Sequence, residues 1–191
     1  MMTDSDRRAL LLQDLDAISP WDLMEAKHLQ ETAAWIRDGS PLDRTVFDEP
    51  DPHLVAYFVV TDPDREELLL GHHRKAGLRL PSGGHVEPGE LPWQTVVREV
   101  EEELRLPAVP LLGRNPLFVT RTPTVSPRSH TDVSYWFVLR AHREDVAWFD
   151  PGEYFAVEWL SWRQVLDEPL QQLDPNMHRF TSKLLAAVTT G

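Results

Sequence analysis

The sequence has 191 residues, of which 41% are hydrophobic and 26% are charged, as is typical of a soluble globular protein that can bury a core. It contains no cysteine, which excludes disulfide bonds, thiolate metal sites and cysteine nucleophiles. The formal net charge of -12 argues against binding to nucleic acid, which needs a basic surface, but not against a small phosphorylated ligand that binds with a metal ion.

The N-terminal part of the chain predicts two helices, at 5–17 and 20–38. The second is expected to begin at Ser19-Pro20, a capping residue followed by proline, and to end at Gly39. Because this part carries no chemical motif, we interpret 1–41 as a helical appendage and 42–191 as the functional domain. The appendage would pack on that domain or on a second subunit in a homodimer.

Runs of β-branched and aromatic residues predict strands in the rest of the chain, at 53–60, 67–73, 116–122, 131–141 and 153–160. Helices are expected from Pro92, at 161–166, and from near Pro175 to the terminus. This order predicts an α+β domain around a mixed sheet. No apolar run is long enough to span a membrane, and the N-terminus lacks a secretory signal, so we expect a cytoplasmic protein with no membrane partner.

The predicted helix from Pro92 carries three glutamates, Glu99, Glu102 and Glu103, at positions i, i+3 and i+4, which share one face. Three carboxylates on one face repel each other unless a cation lies among them. A hard divalent ion with oxygen ligands is the natural candidate. The apolar positions on another face can pack on a sheet.

A basic cluster precedes this helix and ends shortly before Gly83. Positive charge next to an acidic helix suits a diphosphate or triphosphate ligand, and an ordinary solvated loop is an equally good interpretation. The candidate ligands for phosphate are Arg74, Lys75 and Arg79.

The stretch 83–106 resembles the signature of the Nudix hydrolases, the MutT-like pyrophosphohydrolases. That signature is a glycine, five residues, a glutamate, seven residues, and then Arg-Glu-apolar-x-Glu-Glu-x-Gly-apolar. The residues that match it in one register are Gly84, Glu90, Arg98, Glu99, Val100, Glu102, Glu103 and Leu106.

Two positions depart from the signature. The glycine after the helix is Arg105 here, at a position that often adopts a left-handed conformation. The helix-capping Ser or Thr is replaced by Leu91, whose side chain cannot accept a capping hydrogen bond.

The resemblance implies an α/β/α sandwich around a mixed sheet and hydrolysis of a pyrophosphate bond with Mg²⁺ or Mn²⁺. The implied metal ligands are Glu99, Glu102, Glu103 and the backbone carbonyl of Gly83. Glu99 is the alternative general base, and Arg98 is expected to hold the loop by pairing with Glu90. Some relatives use a further glutamate beyond the signature, for which Glu153 is the candidate, although a simple surface turn is the better explanation of this residue.

The resemblance implies a nucleoside diphosphate derivative as the substrate. The first expectation is a nucleoside triphosphate, including oxidised purine nucleotides, cleaved to a monophosphate and pyrophosphate. The alternatives are ADP-ribose, nucleoside diphosphate sugars or dinucleoside polyphosphates, and a nucleotide-binding regulatory module without turnover.

Asn176 matches the position of an asparagine that reads a purine ring in MutT-like enzymes, although it could simply initiate the last helix. Asp132 is a further candidate for substrate binding, at the start of a strand. His130 precedes it and is not assigned as a ligand, because hard-metal chemistry favours oxygen. Tyr135 and its two aromatic neighbours could stack on a base, but at least one of them is expected in the core.

Overall fold

The computed structural model describes residues 2–44, 50–124 and 129–189. Its helices are α1 (Asp4–Asp16), α2 (Leu23–Arg37), α3 (Pro92–Leu104), α4 (Trp162–Asp167) and α5 (Met177–Thr189). Short 3₁₀ helices lie at Arg143–Asp145 and Leu170–Gln172. None of the described helices is long and apolar enough to cross a membrane.

Within the described residues, seven strands form one sheet: β1 (His53–Asp62), β2 (Glu67–His73), β3 (Arg79–Leu80), β4 (Ser82–His85), β5 (Phe118–Pro123), β6 (Thr131–Arg140) and β7 (Tyr154–Ser161). The strand order is β3-β2-β1-β6-β5, with β4 paired to β1 and β7 paired to β2. The predicted α+β class, with a mixed sheet and N-terminal helices, is confirmed.

One predicted helix start was wrong. Helix α2 begins at Leu23 and not at Ser19-Pro20, because Asp22 is the N-cap and accepts a hydrogen bond from the Glu25 N–H at 2.8 Å. The last helix begins at Met177, near Pro175 as predicted.

The chain divides into two compact units, one of 1–57, 84–96 and 114–137, and the other of 58–83, 97–113 and 138–191. The first unit has an apolar core to which all three aromatic residues of β6 contribute, so that Tyr135, Trp136 and Phe137 are at most 1% exposed. They are therefore core residues, as expected for at least one of them. The core of the second unit includes Phe58, Leu68, Leu70, Val100 and Phe180.

The N-terminal helices are part of the first unit and are joined to it by buried polar contacts. Arg7 on α1 donates to the Glu90 carbonyl at 2.7 Å and to both carboxylate oxygens of Asp43 at 2.7 and 2.5 Å. Glu25 on α2 is fully buried and accepts from the N–H of Val119 on β5 at 3.3 Å. The domain boundary between residues 41 and 42 stays a prediction.

Candidate active site

Helix α3 begins with a replacement for the cap that Leu91 cannot supply. The Gln94 side chain accepts a hydrogen bond from the Leu91 N–H at 2.8 Å, which is half of a capping box. The Thr95 hydroxyl donates to the Glu90 carboxylate at 2.8 Å and joins the acidic turn to the first turn of the helix. The helix therefore starts at Pro92, where the sequence placed it.

The other end of α3 is closed by a residue in the left-handed region. Arg105 has φ of 54° and donates its N–H to the Glu101 carbonyl at 3.1 Å. Its guanidinium lies 4.0 Å from the centre of the Trp148 ring, a favourable cation–π contact. This contact offsets part of the strain that a glycine would not have.

Glu103 is the most deeply buried carboxylate on the acidic face of α3, with 6% of its surface exposed. The Tyr154 hydroxyl donates to it at 2.6 Å, and the Ser82 hydroxyl lies 3.0 Å from the Tyr154 oxygen. Burial raises the pKa of Glu103 to about 8, against the opposing effect of the Tyr154 hydrogen bond and with the support of the Glu99 and Glu153 charges.

The other two carboxylates of this face are held by Arg98. Its guanidinium lies 2.5 Å from Glu99 and 3.6 Å from Glu102. The Glu99 side chain is 14% exposed and that of Glu102 is 60% exposed, so the face runs from buried to open. The predicted pairing of Arg98 with Glu90 stays a prediction.

Two groups of acidic and histidine side chains in the described part of the chain have ligand atoms within 4.8 Å of one another, and neither contains the three glutamates of α3. Arg98 contacts Glu99 and Glu102, whereas Tyr154 contacts Glu103. The donor set nevertheless fits a hard divalent cation, because it consists of oxygen and includes a buried carboxylate held by neutral hydroxyls. Gly83 has φ of 147°, a conformation that favours glycine.

The position of Tyr154 depends on a glycine in the neighbouring strand. Gly71 on β2 faces the tyrosine ring so closely that a Cβ there would lie 2.2 Å from Cε1. Only glycine leaves room for the ring at this point, and the ring in turn carries the hydroxyl that holds Glu103. No local sequence pattern indicates this arrangement, because Tyr154 and Glu103 lie 51 positions apart.

The basic residues before Gly83 are mostly held by protein groups. Arg74 donates to the carbonyls of Pro151 at 2.6 Å and Tyr154 at 3.1 Å. Arg79 contacts Glu158 at 3.4 Å, Gln172 at 3.1 Å and the carboxylate of Glu168.

Lys75 differs from the two arginines, because its side chain is 79% exposed and its ammonium lies 3.6 Å from Glu153. Glu153 also lies 3.4 Å from the Nε2 atom of His73. Substrate-binding roles for Arg74, Lys75 and Arg79, and a catalytic role for Glu153, stay predictions.

A cavity of about 540 Å³ opens beside Arg79 in the second unit. Its lining combines histidine and amide groups with the exposed Phe155 ring, which suits a ligand with polar and aromatic parts. The lining residues are His72, His73, Gly77, Leu78, Arg79, Phe155, Glu168, Gln171 and Gln172.

Asn176 is buried next to the start of α5, and its side-chain oxygen accepts a hydrogen bond from Arg179 at 2.9 Å. Its backbone N–H donates to Asp174 at 2.7 Å, and its carbonyl accepts from the Phe180 N–H at 2.9 Å. These contacts are those of a helix-initiation residue. Purine recognition by Asn176 stays a prediction.

Asp132 belongs to the first unit and lies among three histidines. Its Oδ1 atom is 3.3 Å from Nε2 of His53 and 3.3 Å from Nε2 of His130. His85 is the fourth member, and burial together with the charge of Arg44 lowers its pKa to about 4. The sequence pointed to His130 and Asp132 but missed His53 and His85, whose proximity depends on the pairing of distant strands.

The chain matches the family model of the NUDIX domain over residues 51–184. Solved structures with a similar fold include a NUDIX-family hydrolase from Clostridium perfringens, with 23% identity and a TM-score of 0.57 over 73% of this chain and 99% of that one. A MutT NUDIX hydrolase from Burkholderia pseudomallei has 19% identity and a TM-score of 0.53 over 69% and 96% of the two chains.

A further similar fold is that of the dihydroneopterin triphosphate pyrophosphohydrolase of E. coli, with 18% identity and a TM-score of 0.52 over 74% of this chain and 98% of that one. At these identities the structures show the fold, whereas the family model spans most of the chain and includes the acidic helix. The protein therefore belongs to the NUDIX family of hydrolases.

Proposed function

We propose that the protein hydrolyses a pyrophosphate bond in a nucleoside diphosphate derivative and that its first substrate class is the nucleoside triphosphates, oxidised purine nucleotides included. The observation that carries this proposal is the acidic face of α3, on which the buried Glu103 and its neighbours Glu99 and Glu102 offer oxygen ligands alone. A protein that only bound nucleotides would not need this complete set of carboxylates.

Mg²⁺ or Mn²⁺ would be held by Glu99, Glu102, Glu103 and the Gly83 carbonyl. When bound, the ion neutralises charge on the phosphate oxygens and lowers the barrier to attack by water. The protein orients the carboxylates: Tyr154 and Ser82 orient Glu103, and Arg98 orients Glu99. Glu99 and Glu153 are the candidate general bases.

The proposed substrate-binding residues fall into two groups that differ in the solvent exposure of their side chains. Lys75 has an exposed ammonium that can turn to a phosphate at little cost, because exposed ion pairs contribute only about 0–1 kcal/mol. Arg74, Arg79 and Asn176 are engaged by protein groups, so they could shape the site without leaving their present partners.

A nucleotide panel with Mg²⁺ and with Mn²⁺ tests the proposal. The panel would contain nucleoside triphosphates, 8-oxo-purine nucleotides, ADP-ribose, a nucleoside diphosphate sugar, a dinucleoside polyphosphate and dihydroneopterin triphosphate, the substrate in the name of the E. coli structure. Pyrophosphate and a monophosphate are the expected products. Two monophosphates from a nucleoside diphosphate sugar would favour the alternative substrate class. No turnover of any compound would contradict the hypothesis that the protein is an enzyme.

A further inference from the structure

Three histidines and an aspartate converge in the first unit, outside the acidic helix. His53 begins β1, His85 ends β4, and His130 and Asp132 stand at the start of β6. One ligand atom from each lies within 4.8 Å of those of the others. Below, these four residues are called the histidine cluster.

The Nε2 atom of His53 faces a carboxylate oxygen of Asp132. Its ring is fully buried, and its Nδ1 lies 3.0 Å from the carbonyl oxygen of Pro50. A carbonyl can only accept, so Nδ1 carries the hydrogen and Nε2 of the neutral ring is an acceptor. That Nε2 faces Oδ1 of Asp132 at 3.3 Å, and both atoms are buried without a hydrogen-bond partner. Two buried acceptors in this position need a positive charge between them, either a proton on Nε2 or a metal ion.

His130 repeats the same geometry on the other side of Asp132. Its Nε2 lies 3.3 Å from Oδ1 of Asp132, while its Nδ1 lies 3.3 Å from the Thr124 hydroxyl, which can fix the ring orientation. Metal–ligand bonds of about 2.0–2.2 Å place neighbouring ligand atoms around a tetrahedral ion roughly 3.3–3.5 Å apart. Both separations from Asp132 match this spacing.

The chemistry of the histidine cluster differs from that of α3. Imidazole nitrogens suit Zn²⁺ and related first-row ions, whereas oxygen donors suit Mg²⁺. His85 would be the fourth ligand, and its ring centre lies 4.9 Å from that of His53. We propose that the histidine cluster is a binding site for one divalent transition-metal ion of the Zn²⁺ type.

Arg44 provides a test of the sign of the charge that the histidine cluster binds. Its Nη1 atom lies 3.2 Å from Nδ1 and 3.1 Å from Nε2 of His85. A fixed positive charge here opposes a metal cation and would assist an anion. Arg44→Gln is therefore expected to bind Co²⁺ more tightly, by about tenfold, and weaker binding in this variant would contradict a cation site.

The main experiment titrates the full chain with Co²⁺ in an excess of Mg²⁺, and follows visible absorption together with equilibrium dialysis. We expect one Co²⁺ per chain, displaced by Zn²⁺. Asp132→Asn and His130→Gln should each weaken Co²⁺ binding by at least about tenfold. Glu101→Gln and His72→Gln should bind Co²⁺ as the natural chain does, because neither residue belongs to the histidine cluster or to the proposed metal ligands of α3.

Circular dichroism of each variant shows whether the fold is kept, so that loss of Co²⁺ binding is not confused with unfolding. Unchanged affinity in both Asp132→Asn and His130→Gln would overturn the proposal. The absence of bound Co²⁺ from the natural chain at micromolar concentrations would overturn it as well. Neither outcome depends on nucleotide hydrolysis.

Discussion

At the scale of single residues, the contact between Tyr154 and Glu103 determines how the acidic face is arranged. The hydroxyl of Tyr154 lies 2.6 Å from a carboxylate whose pKa is raised to about 8 by burial. An unsatisfied polar group in such a position typically costs about 1–3 kcal/mol. The tyrosine therefore stabilises the folded chain and fixes the orientation of a proposed metal ligand.

Gly71→Ala should displace the Tyr154 ring, because the added Cβ would lie 2.2 Å from Cε1. Overpacking of this kind typically costs about 1–3 kcal/mol. We expect a lower melting temperature and a lower kcat than in the natural chain. Tyr154→Phe is the matched variant, since it keeps the ring and removes only the hydroxyl. A melting temperature and a kcat in Gly71→Ala equal to those of the natural chain would show that neither depends on the position of the Tyr154 ring.

The stability of the folded chain should depend on pH through Asp14 on α1, and this effect is independent of the active site. Burial raises the pKa of Asp14 from 3.8 to about 6, so the folded chain binds this proton more tightly than the unfolded chain does. The contribution of Asp14 to stability is fully present below pH 3.8 and is lost as the pH rises through 6.

Asp14→Asn should therefore be more stable than the natural chain at pH 7, by about 1 kcal/mol after allowance for solvent screening. At pH 4 the two should be nearly equal. Urea unfolding at several pH values measures the difference, and other titrating groups cancel in the comparison. A difference that does not change between pH 4 and pH 7 would contradict the raised pKa.

At the scale of elements, helix α3 keeps its length despite two unfavourable residues at its ends. Gln94 bonds to the N–H of Leu91, and Arg105 closes the helix at φ of 54° with its guanidinium over Trp148. The helix that carries the glutamates is thus stabilised by contacts outside its signature residues.

Substitution of Arg105 separates backbone strain from the cation–π contact. Arg105→Ala keeps the left-handed strain and loses the contact with Trp148, whereas Arg105→Gly loses both. We expect the glycine variant to be more stable than the alanine variant by about 1 kcal/mol. Urea unfolding of the two proteins tests this, and an alanine variant of equal or greater stability would show that the left-handed conformation is not maintained.

The basic residues in the loop after β2 and at the start of β3 allow binding and structural roles to be distinguished. Lys75→Ala removes an exposed ammonium and should raise KM with little change in melting temperature. Arg79→Ala leaves Glu158 and Glu168 without this guanidinium and should mainly lower the melting temperature. Kinetics and thermal unfolding of both variants distinguish the binding role from the structural role. An unchanged KM in Lys75→Ala would show that Lys75 is not part of the proposed phosphate site.

The sequence predicted most of this architecture because the signals were local. The i, i+3 and i+4 spacing of Glu99, Glu102 and Glu103 lies within one helix, and its proline start was clear. The start of α2 was misplaced because Ser19 and Asp22 are both good capping residues, and only the backbone shows which one caps. The Tyr154–Glu103 contact and the histidine cluster join segments far apart in the chain, which local patterns do not encode.

At the scale of the whole molecule, the N-terminal helices contribute to the core of the first unit. Leu11 and Ile36 are fully buried, and the Tyr135 hydroxyl donates to the Leu11 carbonyl at 3.3 Å. Arg7 and Glu25 add the buried polar contacts to the rest of the unit. We propose that residues 1–41, although they precede the NUDIX domain, are required for its stability.

A chain of residues 42–191 should therefore melt at a lower temperature than the full chain and expose apolar surface to a hydrophobic dye. The shorter chain lacks both Arg7, which contacts Asp43, and Glu25, which accepts from the Val119 N–H. Light scattering of both chains also tests the predicted homodimer. An undiminished melting temperature in the shorter chain would show that the helices are only an appendage.

The central claim is metal-dependent hydrolysis on the acidic face of α3, and one pair of variants tests it most directly. Glu102→Gln removes a proposed metal ligand, whereas Glu101→Gln makes the same change at the adjacent exposed position of the helix. On the best substrate of the panel with Mg²⁺, kcat should fall by orders of magnitude in Glu102→Gln and stay within about twofold in Glu101→Gln, with both proteins folded. Equal rates in the two variants would contradict the account.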